Sequence, residues 1–102
     1  MAYEMLVALD VSDSETYQAY RDAMAPILKQ YAGEFGYDFQ VAEVLKSESE
    51  QGINRVFTIR FPDEATKTNF FADPDYQAVK AKYFEASVVS TTLIAAYDRA
   101  DG

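Results

Sequence analysis

Tyr3, Met5, Val7 and Leu9 alternate with Glu4, Leu6, Ala8 and Asp10. A period of two is that of a β-strand. Both sets contain apolar side chains, so the pattern predicts a strand covered on both faces. Ser12-Asp13-Ser14-Glu15 has the form of a capping box, with Ser12 as N-cap and Glu15 reaching back to it. Behind it Tyr17, Tyr20, Met24, Ile27, Leu28 and Tyr31 recur at helical spacing, and Gly33 is the natural stop. Pro26 falls inside that helix, where it removes a backbone donor and predicts a kink or a loosened turn near Asp22.

Phe35, Tyr37, Phe39 and Val41 alternate with Gly36, Asp38, Gln40 and Ala42. This predicts a second strand running on to Val44 and Leu45, through a bulge near Ala42 or Glu43. Residues 46–52 form a polar turn, and residues 53–61 a third strand antiparallel to the second. In it Arg55, Phe57, Ile59 and Phe61 face one way, and Asn54, Val56, Thr58 and Arg60 the other. Pro62-Asp63-Glu64 ends the strand and caps a short helix to about Phe71. Asp73-Pro74 restarts the chain as another short helix, with Asp73 as N-cap and an apolar stripe of Tyr76, Val79 and Tyr83, helped by Phe84. Residues 88–97, rich in β-branched side chains, read as the last strand, and the polar tail after them as frayed.

Strand, helix, strand, strand, helix, strand is the split βαβ, ferredoxin-like α+β plan (β-α-β-β-α-β): an antiparallel sheet with helices on one face. At 102 residues the chain fits a single domain. The helices leave the other sheet face bare. Strand one offers Leu6 and Ala8 opposite Met5 and Val7, and strand three offers Val56 and Thr58 opposite Phe57 and Ile59. Strand four offers Val88, Thr92 and Ile94 opposite Val89, Leu93 and Tyr97. Two mostly apolar faces call for two covers, and the expected second cover is another copy of the sheet, in a twofold homodimer.

Several residues together carry a family resemblance. They are Tyr17, Tyr20 and Pro26 in the first helix, Tyr31-Ala32-Gly33 where the family tends to Tyr-Gly-Gly, Val44-Leu45, the run from Arg55 to Phe61-Pro62, and Phe70-Phe71-Ala72-Asp73-Pro74-Asp75-Tyr76-Gln77. From about Tyr3 to Tyr97 the chain resembles an uncharacterised family of small bacterial proteins in the dimeric α+β barrel superfamily. The resemblance implies a barrel of two facing sheets and carries no established activity. The wider superfamily includes cofactor-free monooxygenases of aromatic substrates, lactone isomerases and haem proteins that commonly use a His ligand.

The composition narrows the chemistry further. There is no Cys and no His, which removes disulfides, thiolate nucleophiles, zinc–sulfur sites, His-ligated haem and both Ser-His-Asp and Cys-His catalysis. No cofactor is expected, and no metal site has recognisable ligand spacing. A net charge of -8 argues against nucleic acid and against anionic membrane surfaces as partners. The first nine residues lack the basic region of a signal peptide, so a cytoplasmic location is expected.

The remaining candidates are aromatic and charged. Tyr17, Tyr20, Tyr31, Tyr76 and Tyr83 face inward from helices, and Tyr37 joins them from strand two. Such phenols line a pocket for a flat molecule, or serve as amphipathic core filler. Arg55 is the candidate grip for a carboxylate, and Asp38 the candidate base, its pKa raised if desolvated. The competing reading of Arg55 is a salt bridge to Asp38, Glu43 or another carboxylate, and that of Asp38 is the same bridge or a solvent-facing position. The leading expectation is a small-molecule-binding homodimer, extending to a cofactor-independent enzyme (monooxygenase- or isomerase-like) on an aromatic or conjugated substrate. Asp38 and Tyr20 would act on it, and Tyr37, Arg55, Tyr83 and Tyr17 would bind it. The alternative is a non-catalytic structural or interaction dimer with a solid aromatic core. A third reading, an acidic surface at the 46–52 turn, requires a basic partner.

Overall fold

Ala8 and Leu9 are neighbours pointing to opposite faces, yet they are 0% and 1% exposed. The first strand, β1 (Ala2–Val11), is covered on both sides, as its pattern predicts. The computed structural model describes residues 2–100. In it β1 is joined by β2 (Glu34–Gln40), β3 (Arg55–Phe61) and β4 (Val88–Arg99) in an antiparallel sheet of order β2-β3-β1-β4. The helix layer consists of α1 (Ser14–Gln30), α2 (Glu64–Ala72) and α3 (Pro74–Val79), followed by a π-helical turn (Lys80–Phe84) and a last turn, α4 (Glu85–Ser87). The fold is the ferredoxin-like α+β plan. One core lies between the layers, with Val7, Leu9, Phe57, Ile59 and Phe61 from the sheet meeting Tyr17, Tyr20, Met24, Leu28, Phe70 and Tyr76 from the helices.

Two predicted helix starts hold. Asp63 caps α2 by accepting from the Thr66 N–H at 2.7 Å, and Asp73 caps α3 with Pro74 in its first turn. At α1 the cap is Asp13 instead of Ser12: its carboxylate accepts from the Thr16 N–H at 3.2 Å. Ser12 donates both its N–H and its hydroxyl to the Ser87 carbonyl, which ties the start of α1 to the end of the helix layer. Pro26 does not divide α1. It sits on the exposed side, where water can reach the carbonyl left without its partner.

The stop of α1 also shifts by one residue. The left-handed position is Ala32, with φ 55°, and not Gly33. Ala32 and Gly33 donate to the Lys29 and Leu28 carbonyls at 3.0 Å each, which is a Schellman closure with alanine where glycine is favoured. Left-handed backbone costs an L-residue about 1–2 kcal/mol, and glycine gives part of that back as unfolded-state entropy. Ala32→Gly is therefore expected to stabilise the fold by about 0.5–1 kcal/mol. Urea unfolding at fixed protein concentration checks this.

Three irregularities decide which side chains reach the core. In β2, Phe35 pairs with Ile59 but Asp38 pairs with Phe57, so one extra residue is accommodated at Gly36-Tyr37. The expected bulge near Ala42 is here instead, and β2 ends at Gln40. Val44 and Leu45 lie in the following loop, with Leu45 88% exposed. In β4 a shift between Leu6 and Val7 puts Leu93 opposite Val7 on the helix face and Tyr97 opposite Glu4 on the outer face. The expected grouping of Leu93 with Tyr97 therefore fails. In the helix layer, the wide turn after Val79 rotates Phe84 onto the stripe that an α-helix would give to Tyr83.

Candidate functional site

The sequence Tyr17, Tyr20, Arg21, Met24 has the i, i+3, i+4, i+7 spacing of one helix face, and that face of α1 turns toward the sheet. Between the two layers lies a cavity of about 380 Å³. It is lined by these four residues, by Met5, Val7, Leu9, Phe35, Phe57, Ile59, Thr91 and Leu93 from the sheet, and by Phe71, Tyr76, Lys80 and Phe84 from the rest of the helix layer. The volume lies in the lower part of the range for small-molecule sites, and the lining is apolar with a few convergent polar groups.

Those polar groups form two sets. The Tyr20 and Tyr76 hydroxyls share a hydrogen bond at 2.8 Å inside the core. Burial pushes the pKa of Tyr17, Tyr20 and Tyr76 above the usual phenol range, so all three are neutral hydrogen-bonding groups at physiological pH. In the second set, the Arg21 guanidinium donates to the Tyr17 hydroxyl at 2.7 Å and pairs with Asp38 at 3.3 Å. Its central carbon lies 4.0 Å from the centre of the Phe35 ring and 4.8 Å from that of Phe57. Such stacking suits the flat, weakly hydrated guanidinium.

The expected site residues fall into two groups. Tyr17 and Tyr20 line the cavity. Tyr37, Asp38, Arg55 and Tyr83 are outside its lining. Tyr37 is 65% exposed and stacks on Phe39, because the bulge at Gly36-Tyr37 sends it to the outer sheet face. Tyr83 is displaced by Phe84 for the reason given above. It is half-buried, with the Lys82 ammonium over its ring. Tyr31 is engaged elsewhere, donating to Asp73 at 2.6 Å.

Arg55 grips Asp38 through two bonds of 2.8 Å. The hydrogen bond from Arg55, with the charge of Arg21, holds the Asp38 carboxyl below the usual range, against the raised value expected of a base. Asp38 therefore anchors two arginines. Because its folded pKa is depressed, its contribution is present above the unfolded carboxyl pKa and is lost as pH falls through the folded value. Asp38→Asn is expected to cost about 1–2 kcal/mol at neutral pH, since it leaves two half-buried guanidiniums facing an amide. That difference from the parent should begin to shrink as pH falls below about 4 and vanish only below the depressed pKa of folded Asp38. Urea midpoints of both proteins across pH check it.

Sequence reasoning missed Arg21 and Lys80. The signal was present in each case: Arg21 is four residues after Tyr17, and Lys80 four after Tyr76, both on stripes read as apolar.

A family model described as "Domain of unknown function (DUF1330)" matches residues 2–97. No curated protein matches the chain. Among solved structures, the chain is similar to a protein of unknown function from Rhodopseudomonas palustris, with TM-score 0.80, 20% identity, and coverage of 99% of this chain and 84% of that one. A dabb family protein with a ferredoxin-like fold from Mesorhizobium loti gives TM-score 0.66 and 17% identity, with 98% of each chain covered. SnoaB, a cofactor-independent oxygenase from Streptomyces nogalater, gives TM-score 0.65 and 12% identity over 99% of this chain and 95% of that one. At these identities the likeness is one of fold.

Proposed function

The chain belongs to the family of domains of unknown function numbered DUF1330, and on that footing we propose that it is a homodimer whose protomers each bind a flat, mostly apolar small molecule between helices and sheet. The cavity of about 380 Å³ carries this reading, because a solid aromatic core would leave no such space. Aromatic walls at Phe35, Phe57 and Phe84 favour a conjugated ring system, and the neutral Tyr20 and Tyr17 hydroxyls orient its polar edge. Asp38 and Arg55 act at one remove, by holding Arg21 against the wall.

A cofactor-independent oxygenase with the same fold supports extending the proposal to chemistry. In such a reaction a conjugated substrate supplies the reactive electrons. The pocket's part would be to orient it and keep water away. Fold likeness alone stands behind that extension. No helix among the described residues is long and apolar enough to cross a membrane. A cytoplasmic location remains part of the proposal.

The outer sheet face supports the dimer. Tyr37 and Phe39 stack there at 65% and 54% exposure, beside half-buried Leu6 and Val56. A face of this kind fits a second copy related by a twofold axis.

Phenylnaphthylamine, a neutral aromatic dye whose fluorescence rises in apolar surroundings, tests the pocket. Leu93 is 54% exposed and lies at the cavity wall, so Leu93→Trp fills the space without disturbing the core. Dye affinity is expected to fall at least about tenfold, with the unfolding midpoint held. Equal binding by both proteins would place the dye elsewhere and remove the support for the pocket.

A further inference from the structure

The cations of the cavity bear on the charge of the ligand it would hold. Arg21 is already engaged: Asp38, which it shares with Arg55, pairs with it at 3.3 Å, Tyr17 accepts its Nε–H, and Phe35 covers one face. Lys80 also lines the cavity. Among the described residues it has no carboxylate within salt-bridge distance, and no carboxylate lines the cavity at all. The chain carries a net charge of -8, so an anion approaching the surface is repelled unless a local cation receives it.

The backbone gives Lys80 this position. Tyr76 and Lys80 are four residues apart, so the helix sets them on one face, about 40° from each other. The π-helical turn that begins at Lys80 then brings Phe84 onto the same cavity wall. Such turns are rare and occur frequently at functional sites.

We infer that the ligand bears an anionic group, a carboxylate or ionised hydroxyl on an otherwise apolar conjugated body, and that Lys80 is the residue that binds it. This rests on the pocket reading. An ammonium against an apolar wall gains most from a ligand anion, because water and counterions screen the pair less there than at the surface. Arg21, held by Asp38, shapes the wall.

Two dyes of one shape separate the inference from its premise: anilinonaphthalene sulfonate, which is anionic, and phenylnaphthylamine, which is neutral. Both are titrated into the parent protein, Lys80→Met, Lys80→Arg and Lys82→Met. Lys82 is the control, being an exposed lysine two residues away whose ammonium lies over Tyr83 and not in the cavity. The expected result is that Lys80→Met weakens sulfonate binding about tenfold while neutral-dye binding stays within about twofold. Lys80→Arg should retain most of the sulfonate affinity, and Lys82→Met should change neither dye. Unchanged sulfonate binding in Lys80→Met, with the neutral dye still bound, would overturn the inference and leave the pocket standing. An equal loss in Lys82→Met would overturn it too, as general surface attraction. If neither dye binds the parent, the pocket reading fails and the inference with it.

Discussion

Replacing Phe70 by alanine is expected to remove about 3–5 kcal/mol of folding free energy, against a total of about 5–15 kcal/mol for a domain of this kind. Phe70 is 0% exposed and sits where four other rings converge. The ring centres of Tyr76, Phe71, Phe61 and Tyr31 lie 4.5, 5.0, 5.4 and 5.8 Å away. Neighbours packed this tightly from α1, α2, α3 and β3 cannot all move in, so much of the vacated volume remains as a void. Tyr76 loses its support as well, and it shares the hydroxyl bond with Tyr20 at the cavity wall. Phe70→Ala should therefore weaken dye binding along with stability, whereas Leu45→Ala, in the exposed loop, should stay within about 0.5 kcal/mol of the parent. Chemical unfolding of the three proteins at one concentration checks this. A loss below about 1 kcal/mol for Phe70→Ala would mean that the ring cluster is not the packed centre described above.

Leu6→Glu should have the largest effect on assembly. Leu6 is half-buried on the outer face of central strand β1, between Ala95 of β4 and Thr58 of β3. In the protomer a carboxylate there reaches water and the fold survives. In a sheet-to-sheet dimer the same group is closed off, twice over because the interface is symmetric. An unpartnered buried charge costs about 3–5 kcal/mol, which weakens the dimer by at least about a hundredfold. Sedimentation at micromolar concentration should then show monomer for Leu6→Glu and dimer for Thr68→Glu, which puts the same charge on the exposed side of α2. Dimers from both would move the interface away from the sheet.

The local chemistry of single residues made much of the fold legible. Asp63 and Asp73-Pro74 marked helix starts because an acceptor side chain and a fixed φ act within one turn. The parity of β3 held because nothing interrupts its pairing: Arg55, Phe57 and Ile59 share the inner face as their spacing requires. Parity failed where a residue is inserted. Phe35, Tyr37 and Phe39 read as one unbroken face, yet the bulge between them moves Tyr37 outward and brings Asp38 in. Gly36 was the available sign, since an isolated glycine in a strand marks a bulge. The π-helical turn had no such sign, and it exchanged Tyr83 for Phe84.

Two of the six candidate site residues line the cavity. Tyr17 and Tyr20 reach the cavity because a long helix with one clear apolar stripe leaves little freedom in its facing. Arg21 and Lys80 were passed over because a charged residue on an apolar stripe reads as an interruption. Its long apolar stem can nonetheless lie along a cavity wall. Asp38 and Arg55 found each other, which is the ordinary fate of opposite charges on adjacent antiparallel strands.

Native mass spectrometry of the purified protein, alone and with phenylnaphthylamine, tests the central claim most directly. The account predicts a dimer that takes up one dye per protomer. It also predicts that Leu6→Glu dissociates the dimer and that Leu93→Trp remains dimeric but loses the dye. A monomer at every concentration, or a dimer that takes up no dye, would contradict it.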